Sequence, residues 1–310
     1  GDYKLTDEDI NDIYEFATLS SIGIIFHEIG HLVIDELNVP IFNNEEDVAD
    51  SFMAWYLIHR PENYETRESY ELWSEEPHNV IKSISDFYYY RTLLGEDYSD
   101  TNEYGSHATD NKRFFNIACF MKGANPEVFE SYIVKRNLSY ILDGQCNYNY
   151  YQMDNAWWNI VEGDKSGKEG YQYWTLYPYN SPQKININFD ITNDEVFNAF
   201  KSYSEYRILE FLESFQVLLD NEYSLSFEYC DGDVNAYYIS SENKILVCYE
   251  LIESFFGNYK RVIYLVQSSN SELTELAMGI ADYLGLEFEE RLTGYGDLER
   301  SLGQKIFATS

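Results

Sequence analysis

The chain has 310 residues, 45% of them hydrophobic and 17% aromatic, and carries 54 acidic against 21 basic residues for a formal net charge of -33. That length and apolar share suffice for a sizeable core in one large or two modest domains. The charge argues against nucleic acid, whose affinity rests on neutralising phosphates with Lys and Arg, and against anionic membrane surfaces, while favouring cations.

No uninterrupted apolar run approaches the ~20 residues of a bilayer span, so no membrane-spanning segment is expected. Gly1-Asp2 opens the sequence without a charged-then-apolar leader, which reads as a processed chain whose export signal is gone. Thr6-Asp7-Glu8-Asp9 is an N-cap with an acidic first turn, and it opens a helix expected over 6–21 with Ile10, Ile13, Tyr14 and Ala17 at helical spacing. A second helix is expected over 22–37, ended by NVPIFNN through Pro40 and its asparagines. A third, over 45–60, sets Val48, Phe52, Trp55 and Tyr56 on one side. Residues 61–80 read as polar and irregular, followed by helices around 79–94, 111–122 and 126–135, with a loop over 95–112. Residues 162–184, rich in Gly, Lys, Ser, Tyr and Pro, read as a connection.

After Ile185 the texture changes. A strand is expected at 187–191, a helix over 193–220, and β-rich runs at 225–230, 236–240 and 244–250. VIYLVQ (262–267) reads as a further strand, and a helix near 271–284 and LEFEERL complete a βαβ pattern. The fold class expected is α+β, mainly helical, with a small antiparallel sheet supplied from the C-terminal half. The organisation expected is one domain over 1–260 (helices 1–161, connection 162–184, strand-bearing segment 185–260) and an extension over 261–310.

Four cysteines permit two disulfides in three pairings. Cys119 and Cys146 flank a helical stretch, and Cys230 and Cys248 flank an expected hairpin, so these local pairs are favoured over four buried thiols of a reducing compartment. Paired cysteines and a removed leader together point to an extracellular or periplasmic protein.

The chemistry concentrates in HEIGHLVIDELNVPIFNNEEDVAD, residues 27–50. His27 and His31, four apart on one helix, present both imidazoles to one side, with Cβ atoms roughly 5–6 Å apart. That separation lets both reach one Zn²⁺ at about 2.0–2.1 Å. Glu28 sits about 100° round the helix, where it can hold a water rather than the metal. Gly30 leaves room for another element to pack closely. Glu46 can complete a His₂Glu set while Asp50, one turn on, hydrogen-bonds a ligand imidazole. Glu45, Asp47, Asp50 and Asp35 remain alternative third ligands, and a surface histidine pair on an amphipathic helix remains the plain reading.

FHEIGHLVIDELNVPIFNNEEDVADSFMAW, HATDNKRFFNIACFMKGANPEVF with Cys146, and FEYCDGDVNAYYISSENKILVCYELIESFF together resemble an uncharacterised family of zinc metallopeptidases of the gluzincin type. The resemblance covers most of residues 7–160 and 205–257, the first stretch being the most specific. It implies a zincin-like fold, zinc ligands His27, His31 and Glu46, and Glu28 as general base. In that family the NAYY…CYEL segment precedes the histidine helix, whereas here it follows, so the order looks circularly permuted, with FFGNYK and GDYKLTDED as the opened ends. Exposed loops accept new termini as long as the contacts of the fold survive. The strands at 225–250 would then supply the missing sheet from downstream.

These observations imply a zinc-dependent hydrolase cleaving a peptide or protein substrate. In it Glu28 takes a proton from a metal-activated water and delivers it to the leaving amine. His107 could stabilise the oxyanion, or simply cap a loop. Arg113 could bind a carboxylate or pair with acids. Tyr237 and Tyr238 could line the cleft, His59 and His78 read as bystanders, and the DGD of 231–233 reads as a turn rather than a Ca²⁺ loop. The competing class is a non-catalytic metal-binding or interaction protein that retains the fold.

Overall fold

A computed structural model describes residues 4–41, 44–59, 75–95, 108–136, 138, 144–162, 185–190, 194–214 and 222–267. Its first element, α1 (Asp7–Leu37), is one continuous helix where two were expected. Thr6 caps it reciprocally: its hydroxyl accepts from Asp9 N at 3.1 Å, and Asp9 Oδ2 accepts from Thr6 N at 2.7 Å. No Gly-Pro break separates the two expected halves. Ser21, at the join, donates its hydroxyl to the Ala17 carbonyl at 2.6 Å, which satisfies the polar group inside the helix. α1 is buried almost all round between Ala17 and Gly30, which makes it the axis of the core. By length and composition it is apolar enough to cross a membrane, yet 94% of its apolar window is buried inside this fold.

Against α1 pack α2 (Glu45–His59) and α3 (Glu75–Leu93), while α4 (Asp110–Ala124) packs on both of these and α5 (Pro126–Lys135) packs on α4. α6 (Gln145–Glu162) was not foreseen, because its polar and tyrosine-rich sequence carries little apolar periodicity; Trp157 and Met153 form its buried edge. The Cys119–Cys146 disulfide ties α4 to the start of α6, as expected.

The second half contributes β1 (Ile185–Phe189), α7 (Glu195–Ser214), β2 (Tyr223–Glu228), β3 (Ala236–Ile239), β4 (Lys244–Cys248) and α8 (Tyr249–Gln267). The sheet order is β1-β2-β4-β3. It is mixed rather than antiparallel: β1–β2 and β2–β4 run parallel, and β3–β4 is the antiparallel pair. The helix α7 between β1 and β2 provides the crossover that a parallel pair requires. Leu225, Phe227, Ile245 and Val247, all fully buried, make the two central strands apolar in the manner of a covered sheet. Cys230–Cys248 joins the ends of β2 and β4.

VIYLVQ is the end of α8, not a strand. Its β-branched residues follow on from a run in which Ile252, Phe255, Tyr259 and Val262 face the core at helical spacing. Tyr259 stacks on Phe16 with ring centroids 4.6 Å apart. Packing overrides local β-propensity here. The remaining elements expected at 271–284 and in LEFEERL lie outside the described residues.

Two contacts fix how α1 sits. At Gly30 a Cβ would lie 2.8 Å from Ala49 Cα and 2.9 Å from the Ala49 carbonyl oxygen, so the α1–α2 crossing admits only hydrogen there. At the other end Arg207 of α7 bridges Glu15 (2.5 Å) and Glu76 (2.6 Å). Burial pushes the Glu15 carboxyl up, but the hydrogen bond and charge of Arg207, with a hydrogen bond from Tyr203, outweigh it and hold the group below its ordinary value.

Gly30→Ala is expected to destabilise the fold by about 1–3 kcal/mol in urea denaturation, against an intrinsic helix preference for Ala of about 1 kcal/mol. A more stable variant would contradict the tight crossing. Arg207→Met is expected to lower stability at pH 7, with the deficit narrowing in acid. A depressed folded pKa makes the Glu15 contribution complete above its unfolded value of about 4.3 and lost as pH falls through the lower folded one. Denaturation at pH 7 and pH 3 checks this; a deficit independent of pH would assign the loss to packing instead.

Candidate metal centre

The α1–α2 crossing positions the site. His27 and His31 lie on either side of Gly30 on α1, and Glu46 and Asp50 lie on either side of Ala49 on α2. His27 Nε2 is 3.1 Å from Glu46 Oε2, and His31 Nε2 is 3.4 Å from the same oxygen. One ligand atom from each of His27, His31 and Glu46 lies within 4.8 Å of the others. Around an ion with bonds of 2.0–2.1 Å, the corners of a tetrahedron are about 3.3 Å apart, so both nitrogen–oxygen separations match the edges of a zinc-sized site.

The opposite side of each ring is also occupied. His27 Nδ1 donates to Asp50 Oδ1 at 2.8 Å, and His31 Nδ1 donates to Glu45 Oε1 at 2.8 Å. With both Nδ1 protons engaged, both Nε2 atoms face Glu46; there each donates to the carboxylate when protonated and would offer its lone pair to a metal once that proton is lost. Arg113 from α4 holds Asp50 in turn, Nε to Oδ2 at 2.8 Å and Nη2 to Oδ1 at 2.5 Å. Its Nη2 is also 3.3 Å from His27 Nδ1, because both nitrogens converge on the shared Oδ1.

The charges are unusual for a buried place. Burial disfavours the charged form of His27, but the Asp50 carboxylate and hydrogen bonds to Asp50 and Glu46 outweigh it, and the metal-free imidazole is held up at about 9. The pocket thus stabilises a cation before any metal is considered. Burial pushes the Glu28 carboxyl above its usual value, partly offset by the neighbouring histidines. Glu28 is only 6% exposed and accepts no hydrogen bond among the described residues. It faces a cleft of about 800 Å³ shared with His31, Asp35 and Glu46 on one side and Ala236 and Tyr238 of β3 on the other.

The alternative ligands have other partners. Asp47 pairs with Lys112 at 3.0 Å, Asp35 accepts from Tyr238 at 3.0 Å one turn beyond His31, and Glu45 backs His31. Tyr237 lines the cleft with its hydroxyl on Asp233. His59 is away from the cleft, bonded to Asp154 at 2.7 Å and Tyr150 at 2.8 Å, and His78 packs edge-on against Phe129. His107 lies outside the described residues. DGD is a turn: the N–H groups of Cys230 and Gly232 donate to Glu250, with Asp231 and Gly232 at positive φ. Cys230, Cys248 and Glu250 also cluster, but both sulfurs are committed to the disulfide. Sequence reasoning missed the backing role of Glu45, hidden in the acidic run Glu45-Glu46-Asp47; it offered Arg113 as a residue that pairs with acids, and the structure makes Asp50 that acid, a partner no local spacing announces.

No curated protein sequence and no solved structure matches this chain. A family model described as "Putative metallopeptidase" matches residues 2–161, just over half of the 310 residues and the whole of the segment that carries both metal-facing helices. By that match, the chain belongs to this metallopeptidase family.

Proposed function

We propose that this chain is a zinc-dependent peptidase with a zincin-like fold whose segments run in permuted order, with His27, His31 and Glu46 as metal ligands and Glu28 as general base. The observation that carries the reading is the meeting of two imidazole nitrogens and one carboxylate oxygen at tetrahedral spacing beside an open cleft. Family membership implies a metal at such a site, and the donor set of two nitrogens and one oxygen suits zinc. When bound, zinc supplies Lewis acidity, making a water acidic near neutral pH and polarising the scissile carbonyl.

The rest is done by the chain. Glu28, buried and without a hydrogen-bond donor among the described residues, takes the proton of the attacking water on its carboxylate and passes it to the leaving amine. Its raised affinity for a proton suits both halves of that transfer. Asp50 and Glu45 keep the two rings aimed. β3 ends the sheet and borders the cleft, so an extended peptide can add to its outer edge and lie across Glu28 and Glu46. Tyr237 and Tyr238 have their hydroxyls on Asp233 and Asp35 and form walls, which leaves His107 as the proposed oxyanion donor. Three protein donors with an open side favour a catalytic centre over a closed structural one, which would take a fourth ligand from the protein. Two disulfides favour an oxidising compartment, extracellular or periplasmic.

Glu28→Gln is expected to retain about one zinc per chain by elemental analysis while hydrolysis of a peptide library falls by about 10²–10⁴-fold. Undiminished hydrolysis by that variant would remove the mechanism. Chelator treatment of the wild type should lower its melting temperature, and added zinc should restore it, since a ligand at 100 times its Kd stabilises by about 2.7 kcal/mol. A melting curve indifferent to both would argue against a metal site.

A further inference from the structure

We infer that Arg113 is a positioning residue of the metal centre, aiming the His27 imidazole through Asp50, so that α4 is as much a part of the site as α1 and α2. The inference rests on the reading of His27 as a metal ligand.

A carboxylate that accepts a single hydrogen bond from an imidazole can still rotate about its own axis, and the ring turns with it. Asp50 has no such freedom. Arg113 Nε takes Oδ2 at 2.8 Å, Nη2 takes Oδ1 at 2.5 Å, and Oδ1 also receives His27 Nδ1 at 2.8 Å. The side-on fork of a guanidinium fixes the plane of the carboxylate, a geometry that a point-like ammonium cannot copy. Arg113 is itself immobilised, because its guanidinium lies 4.3 Å over the ring of Tyr88 from α3 and is buried there. A chain of contacts, Tyr88 to Arg113 to Asp50 to His27, therefore links α3, α4 and α2 to the Nε2 of His27 on α1.

Charge requires the same partner. Asp50 is buried, and a carboxylate in that position without a counter-charge is strongly destabilised. Arg113 supplies the charge from the side away from Glu46, leaving the metal-facing side negative. The two histidines are consequently unequal. His31 is backed by Glu45, whose side chain is about half exposed, whereas His27 is backed by a carboxylate locked on both oxygens.

A residue that merely glued α4 to α2 would affect folding and leave metal affinity alone. Zinc affinity is therefore measured by chelator competition for the wild type, Arg113→Met, Asp50→Asn and the double variant, with the far-UV spectrum and metal-free melting temperature of each. Arg113→Met is expected to weaken zinc binding by roughly 10–100-fold, as loss of the partners behind a ligating histidine does. Asp50→Asn should lose a similar factor, and the double variant no more than the worse single, since both act through one hydrogen bond to His27. Wild-type affinity in folded Arg113→Met, or losses that multiply in the double variant, would overturn the role while leaving the zinc site intact. Absence of zinc binding in the wild type would instead remove the site and this inference with it. Should Arg113→Met fail to fold, the double variant, which strands no charge, is compared with Asp50→Asn: equal affinities support the inference and a further loss overturns it.

Discussion

The contact between Gly30 and Ala49 is the constraint from which the rest of the site follows. It brings the backbones of α1 and α2 closer than any side chain at position 30 would allow. His27 and His31 flank one side of this contact and Glu46 and Asp50 the other, so four chemically important side chains are aimed by a single helix crossing. The 3.1 and 3.4 Å separations to Glu46 Oε2 depend on it. A crossing wider by one methyl group would separate the carboxylate from both rings. Rigid helical placement of this kind also limits how far ligands must be reorganised on metal binding.

Electrostatics gives the crossing its chemical meaning. Three of the 54 acidic residues surround the two imidazole rings. Glu46 points at the open side of both rings, Asp50 and Glu45 at their backs. An imidazole between carboxylates attracts positive charge, as the raised proton affinity of metal-free His27 indicates. With His27 as the proposed ligand, a divalent ion would compete for the same nitrogen, and metal and proton would be alternative occupants of one electrostatic well. Glu28 feels the charges of this network but takes no hydrogen bond from any described residue, which leaves its oxygens available to a small polar molecule in the cleft.

How much of this could be read from the sequence differs by the range of the interaction. The metal-facing trio lies within residues 27–46 of one contiguous stretch, and helical periodicity together with one reversal of direction was enough to bring it together. The close approach at Gly30 and both disulfide pairs were legible for the same reason, being local. The division expected between residues 21 and 22 does not occur: no residue there interrupts the apolar spacing, the Ser21 hydroxyl is satisfied by the Ala17 carbonyl, and α1 runs on. VIYLVQ misled because β-branched composition was weighed above the spacing of the apolar residues that precede it. Strand direction was missed: alternation in β1, β2 and β4 is the same whether neighbours run parallel or antiparallel, and the helix expected between β1 and β2 was not read as their crossover. β4 lies parallel to β2 because β3, which precedes it in the chain, takes the outer edge.

The contributions from far along the chain complete the site. Arg113 comes from 63 residues beyond Asp50, and β3 from about 200 residues beyond His31. The edge strand reaches α1 through Tyr238 on Asp35, while Tyr223 of β2 bonds Glu36, so the sheet is fastened to the turn of α1 that follows the histidines. Those two neighbouring acids therefore join the chemical half of the molecule to the half that borders its cleft. A site whose ion-facing groups are local and whose walls are remote can keep the first while the order of the second changes along the chain. What has to be preserved is the seam between α1 and the sheet, not the direction from which the chain arrives at it.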